Sequence, residues 1–192
     1  MWQEVTNEMI KRVKEGDEQA FQQLYELTKH KVYRSVVYLA GDRADVCDIV
    51  SEIYLELIRA LDGYKEELPF RSWMNGLVIL QVRNWNRRRW RRFRIAEKKK
   101  QYTIEQVVDA PEQQIVSDER RREVLELLER LSYKLRAVVV LRYYEELTLA
   151  EIAEALQIPV GTVKSRHDQA MKKLRLMAGT LKNEMEGTIH VL

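Results

Sequence analysis

A chain of 192 residues that is 45% hydrophobic can bury one large core or two small ones, and seven glycines and three prolines favour long helices over a sheet. The single cysteine, Cys47, excludes an internal disulfide, fits a reducing compartment and is expected to fill a core position. No window reaches the roughly 18 uninterrupted apolar residues of a membrane span. The N-terminus MWQEVTNEMIKRVKEGD lacks the apolar centre of a signal peptide, so a soluble, cytoplasmic protein is expected.

The periodicity predicts an all-α chain. A first helix covers about 7–15 and is closed by Gly16. Asp17 can cap a second that runs to about residue 40, with Phe21, Leu24, Tyr25, Val32, Val36 and Leu39 facing inward. Gly41 ends it, and Asp42 caps a third over about 43–61. In that helix Val46, Ile49, Val50, Ile53, Tyr54, Leu57, Ile58 and Leu61 follow the i, i+3, i+4, i+7 template. Its other face carries Asp45, Asp48, Ser51, Glu52 and Glu56, with one apolar exception in Leu55. A polar connection, DGYKEELP, leads to a fourth helix over about 72–93. This helix begins apolar (Trp73, Met74, Leu77, Val78, Leu80, Val82) and ends basic, so it is anchored at one end and offered at the other.

Periodicity then lapses, Pro111 intervenes, and residues 98–116 read as a linker between a domain over 1–97 and one over 117–180, with a tail over 181–192. The second domain is expected to hold helices over about 118–131, 133–144, 148–156 and 160–178. Thr148 and Glu151 form a capping box, and Leu149, Ile152, Ala153 and Leu156 make the buried stripe of the helix they start. Ile158-Pro159 breaks that helix. Val160 and Val163 are expected to face inward, leaving Gly161, Thr162, Lys164, Ser165 and Arg166 outward. This is a helix-turn-helix whose second helix can enter a major groove.

Charge is placed unevenly. Residues 81–100 hold ten basic side chains against one acidic, and residues 42–67 hold eight acidic against three basic. Two kinds of partner follow, a polyanion and something basic or apolar. The basic end interleaves Trp85, Trp90 and Phe93 with Arg87, Arg88, Arg89, Arg91, Arg92 and Arg94, a pattern that neutralises phosphates and stacks on bases. A solvated charge run is the plainer explanation, but aromatics at an anchored helix end favour nucleic acid, DNA or RNA. The acidic face fits a binding surface and the exposed side of a bundle helix equally well. His30, His167 and His190 are scattered, and neither a metal-ligand spacing nor a phosphate-cradling loop is present. No catalytic residue, metal or cofactor is expected.

Three blocks, in order, resemble the extracytoplasmic-function sigma factors of bacterial RNA polymerase. DVCDIVSEIYLELIRALDGY is similar to the family's core-binding helix, with Asp48 to Glu52 matching its D-(L/I)-V-x-E signature. FRSWMNGLVILQVRNWNRRRWRR resembles the helix that melts and reads the minus-ten element. LSYKLRAVVVLRYYEELTLAEIAEALQIPVGTVKSRHDQAMKKL is similar to the minus-thirty-five reader. The resemblance implies an alternative sigma factor with two helical domains and no catalytic activity. It implies binding to core RNA polymerase through Asp45, Asp48, Ile49 and Glu52. It also implies promoter opening with Asn84, Trp85, Arg87, Arg88, Arg89 and Arg91, a base pocket in the loop 61–70, and minus-thirty-five contacts from Gly161, Thr162, Lys164, Ser165 and Arg166. An anti-sigma factor, often membrane-bound in the family, is an expected partner. The chain departs from the family pattern at Leu80 and Asn84, at Ser132 where proline is usual, and at Gln157 where glycine is usual. Should Gln157 be left-handed, the strain is about 1 kcal/mol. A free-standing helix-turn-helix regulator, or an RNA-binding protein using Arg83 to Arg94, are the alternatives. The acidic helix has no natural task in either.

Overall fold

The computed structural model describes residues 4–40, 44–98 and 119–189, and no strand occurs among them. The expected cap region Gly41 to Arg43, the linker residues 99–118 and the last residues 190–192 lie outside the described residues. The chain divides into two compact units, Met1–Glu112 and Gln113–Leu192.

The first unit holds α1 (Asn7–Lys14), α2 (Glu18–Ala40), α3 (Val46–Ala60) and α4 (Phe70–Lys98). Thr6 starts α1, its hydroxyl oxygen accepting the Met9 N–H at 3.2 Å. The helix closes at Gly16, φ +86°, where the Gly16 and Asp17 N–H groups reach back to the Val13 and Arg12 carbonyls. Glycine takes this left-handed position without strain. Asp17 then caps α2 as expected, accepting the Gln19 and Ala20 N–H groups at 2.9 and 3.0 Å. Its other oxygen takes Arg12 Nη2 at 2.6 Å. The Ala20 N–H, followed by Arg12, holds this carboxyl below the usual carboxylate range.

Leu24, Val32, Val36 and Leu39 of α2 meet Ile49, Ile53 and Leu57 of α3 and Met74, Val78 and Val82 of α4 in one fully buried core. Each such side chain stabilises by about 1.5–3 kcal/mol through loss of apolar surface to water. Tyr54 brings a hydroxyl into this core and bonds Thr28 Oγ1 at 2.8 Å, while Thr28 donates to the Leu24 carbonyl at 2.7 Å. Burial drives the Tyr54 phenol far above its ordinary pKa, so it stays protonated.

Four inward assignments need correction. Cys47, Ile58 and Leu80 are exposed, and Tyr25 is more than a third exposed, its ring only edge-on against Tyr54 at 4.8 Å. Only part of each helix circumference meets a neighbour, so residues at the margin of an apolar stripe face water. Helix α3 begins at Val46 rather than near 43, and Asp45 occupies its N-cap. Helix α4 begins two residues earlier than expected. The Pro69 carbonyl accepts the Ser72 and Trp73 N–H groups at 2.9 and 3.2 Å and so sets its first turn. The connection before it is not simply polar. Tyr64 is buried against Phe70 and Trp73, ring centroids 5.6 and 5.3 Å away, and donates its hydroxyl to the Leu68 carbonyl.

The second unit holds α5 (Glu119–Glu129), α6 (Tyr133–Val139), a π turn over Val140–Tyr144, α7 (Leu149–Leu156) and α8 (Val160–Ile189). Leu128, Leu135, Val138, Leu141, Leu147, Ile152, Val163 and Ala170 form its core. Buried Arg136 closes α5, donating to the Glu129 and Leu131 carbonyls at 2.9 and 3.3 Å. The capping box is present: Thr148 Oγ1 accepts the Glu151 N–H at 3.2 Å, and Glu151 accepts the Thr148 N–H at 2.7 Å. Gln157 is left-handed, φ 51° and ψ 49°, and the Ile158 N–H reaches the Ala153 carbonyl, the same closure made at Gly16. The strain anticipated for a non-glycine corner is therefore present. Helix α8 continues past the expected end near 178.

Candidate nucleic-acid interface

Helix α8 starts as α4 does, at a proline carbonyl: Pro159 accepts the Thr162 and Val163 N–H groups at 2.9 and 3.2 Å. Val163 and Ala170 point into the core while Lys164 and Ser165 between them are exposed. Thr162 and Arg166 are half-buried. Val160 is 49% exposed, contrary to its expected inward position, since the first residue of a helix lies at the margin of its apolar stripe. A Cβ at Gly161 would meet nothing within 4 Å. The protein does not need glycine there, and the open space lies on the outer side where a phosphate can approach. Sequence reading missed Tyr143. The π turn carries it to the surface, its hydroxyl 3.0 Å from His167 Nε2 and the rings stacked at 5.9 Å. Nothing in a spacing of 24 residues announces that pair.

On α4 the apolar half ends at Val82, and from there Arg87, Arg88, Arg89, Trp90 and Arg91 are exposed while Asn84 and Trp85 are half-buried. The two tryptophans divide. Trp90 is 60% exposed, whereas the Trp85 indole N–H is held by Asp45 Oδ2 at 2.9 Å. Trp90 is thus the more exposed of the two rings. Arg92, Phe93 and Arg94 have side chains outside the described set.

Two of the acidic residues, Asp45 and Glu52, reach the basic helix. Asp45 also lies 3.5 Å from Arg89 Nη1, and Glu52 takes Arg88 in a fork, at 2.6 and 3.3 Å. Asp48 stands exposed on α3. Ile49, expected with it as a polymerase contact, is 1% exposed and belongs to the core, so it supports this face from behind. Leu55 and Ile58, 55% and 51% exposed, share the outer face with Cys47 and Ser51. Positions 47, 51, 55 and 58 fall on one stripe at helical spacing, a signal that the sequence showed only at Leu55.

Among the described residues no cluster of His, Cys, Asp and Glu is arranged to hold a metal, and no helix is long and apolar enough to cross a membrane. The departure at Ser132 leaves the backbone at φ −59°, the angle to which a proline ring is locked, so the turn survives the substitution.

Residues 24–92 match the family model Sigma-70 region 2, and residues 127–176 match Sigma-70, region 4. The chain is 31% identical over 173 residues to the ECF RNA polymerase sigma factor SigW of Bacillus subtilis (strain 168), covering 86% of this chain and 92% of that protein. It is 31% identical over 165 residues to the ECF RNA polymerase sigma-E factor of Escherichia coli (strain K12), covering 82% and 86%. Its fold is similar to that in the co-crystal structure of the sigma factor RpoE with the anti-sigma factor NepR from Bartonella quintana. The TM-score is 0.66 at 19% identity, covering 83% of this chain and 96% of that one. With both sigma regions matched and near-full-length relatives at this identity, the chain belongs to the extracytoplasmic-function sigma factors of RNA polymerase, and is an alternative initiation factor rather than an enzyme.

Proposed function

We propose that the sigma activity is divided among three surfaces. The outer face of α3 docks on core RNA polymerase through Asp48 and Glu52, with Cys47, Leu55 and Ile58 supplying apolar area beside the charges. The basic segment of α4 receives the minus-ten region as it opens. Arg87 and Arg91 meet phosphates and Trp90 stacks on an exposed base, worth about 1–3 kcal/mol per base and set against the lost stacking of the duplex. The loop 61–70 lies at the start of the same helix and is the proposed base pocket, with Tyr64 and Phe70 as its buried floor. In the second unit, Lys164, Ser165 and Arg166 read the minus-thirty-five element in the major groove, with Gly161 and Thr162 at the phosphates. The setting is the cytoplasm, and an anti-sigma factor of the kind seen with RpoE is the expected regulator.

The carrying observation is the change along α4. The helix is seated in the core through Met74, Val78 and Val82, and residues 87–91 are an exposed run of arginines and Trp90. Gel filtration with core polymerase followed by run-off transcription tests the reading. Co-elution and promoter-dependent transcripts are expected. A protein that recruits no polymerase and binds duplex sites alone as a symmetric dimer overturns it.

A further inference from the structure

Three side-chain contacts cross from the acidic side of α3 to one turn of α4. Asp45 holds the Trp85 indole at 2.9 Å and approaches Arg89 at 3.5 Å, and Glu52 holds Arg88 at 2.6 Å. The Arg88 guanidinium also lies 5.7 Å above the Trp85 ring, so the contacts form one cluster. Asp45 and Glu52 are two turns apart on α3, whereas Trp85, Arg88 and Arg89 belong to a single turn of α4.

A guanidinium held in a carboxylate fork cannot present the same N–H groups to a phosphate. Equally, a carboxylate filled by Arg88 cannot give both oxygens to a cationic partner. We propose that Asp45 and Glu52 are positioning residues for the 85–89 turn, and that the Glu52–Arg88 pair couples polymerase docking to DNA binding. A polymerase cation that engages Glu52 releases Arg88 to a phosphate, and DNA that engages Arg88 releases Glu52. This rests on the docking role of α3 proposed above. The coupling is reciprocal by linkage. With side chains 50% and 36% exposed, the pair exchanges readily and is worth a modest factor. Asp45 differs, because its indole partner is half-buried, and it holds shape rather than switching.

The test uses the full chain, a single-stranded minus-ten oligonucleotide and core polymerase. Glu52→Gln should bind the oligonucleotide about two- to fivefold more tightly at low salt. The gain should fade at ~0.5 M salt as screening removes the pair. Glu56→Gln, which removes the same charge elsewhere on α3, should give a smaller gain. Arg88→Gln should bind polymerase more tightly by about the same two- to fivefold factor, although it has lost a DNA-facing cation. An equal gain from Glu56→Gln, or unchanged or weaker polymerase binding by Arg88→Gln, overturns the coupling. Full polymerase affinity in Glu52→Gln overturns the docking reading instead, while the oligonucleotide arm still decides whether Glu52 masks Arg88. For Asp45, Asp45→Ala should shift the Trp85 indole N–H resonance and slow promoter opening, and Asp45→Asn should restore both. An unmoved resonance in Asp45→Ala overturns the positioning role.

Discussion

Helices α4 and α8 both carry residues proposed to meet DNA, yet they are held in opposite ways. Helix α8 is braced along its working part, with Val163 and Ala170 sunk in the core on either side of Lys164, Ser165 and Arg166, against α6 and α7. Helix α4 is sealed at one end by Met74, Val78 and Val82, and its working part leaves the core. A duplex groove has a regular shape, and a rigid array of side chains reads it best. A strand being drawn out of a duplex has no fixed shape, and an exposed basic stem with one aromatic suits it better. Two carboxylates at α3, Asp45 and Glu52, reach this stem at Trp85, Arg88 and Arg89.

The sharpest way to break this comparison is to unsettle one core and read the other function. Leu57→Ala should cost the first unit about 2–5 kcal/mol, since the side chain is fully buried between α2 and α4. Denaturant unfolding measures that loss, and binding to a minus-thirty-five duplex should hold. If Leu57→Ala weakens duplex binding as much as Ile152→Ala in the second unit does, the division between α4 and α8 is wrong. Next in size, Arg166→Ala should weaken minus-thirty-five binding by about 1–3 kcal/mol while polymerase binding stays intact. Equal loss in both assays would merge the two surfaces.

Smaller effects come from the two helix ends that share one closure. Gly16→Ala should destabilise by about 1 kcal/mol, because φ +86° suits glycine, and Gln157→Gly should stabilise by about as much. Thermal melting of each variant measures both, and a melting temperature unmoved by Gln157→Gly would show that the corner stores no strain. The smallest effect is acidic. Asp17 has a lowered folded-state pKa, so its contribution is complete above the unfolded value near 3.9 and is lost as pH falls through the lower folded one. Asp17→Asn should flatten the acid limb of the stability curve relative to the wild type. An unchanged limb would show that the cap and the Arg12 pair carry nothing.

Local chemistry was legible in the sequence. The capping box at Thr148, the closure at Gly16, the cap at Asp17 and the helix-turn-helix all depend on residues within a few positions of one another. Contacts between distant residues were not. Trp85 and Asp45 are 40 residues apart, so the residues assigned to DNA and those assigned to polymerase were read as separate sets. Apolar periodicity also cannot say where a neighbouring helix stops, and Cys47, Ile58, Leu80 and Val160 were accordingly placed inside. Ile49 was expected both in the apolar stripe and at the polymerase, and it is 1% exposed in the core, because the signature that contains it mixes exposed carboxylates with a core residue. The Tyr64 anchor was hidden in a stretch whose other side chains are mostly charged or exposed.

Pro69 and Pro159 have a further consequence as fixed starting points for α4 and α8. Each residue turns the helix by about 100°, so the compass bearing of every later side chain is set by counting from the proline. A loop absorbs an inserted residue, but the stretch between Pro69 and Trp85 cannot. One residue more would rotate the whole basic stem by over a quarter of a circle, past Asp45 and Glu52 and off the strand proposed for it. The buried half of α4 is therefore a ruler as well as an anchor, and its length should tolerate change far less than its composition.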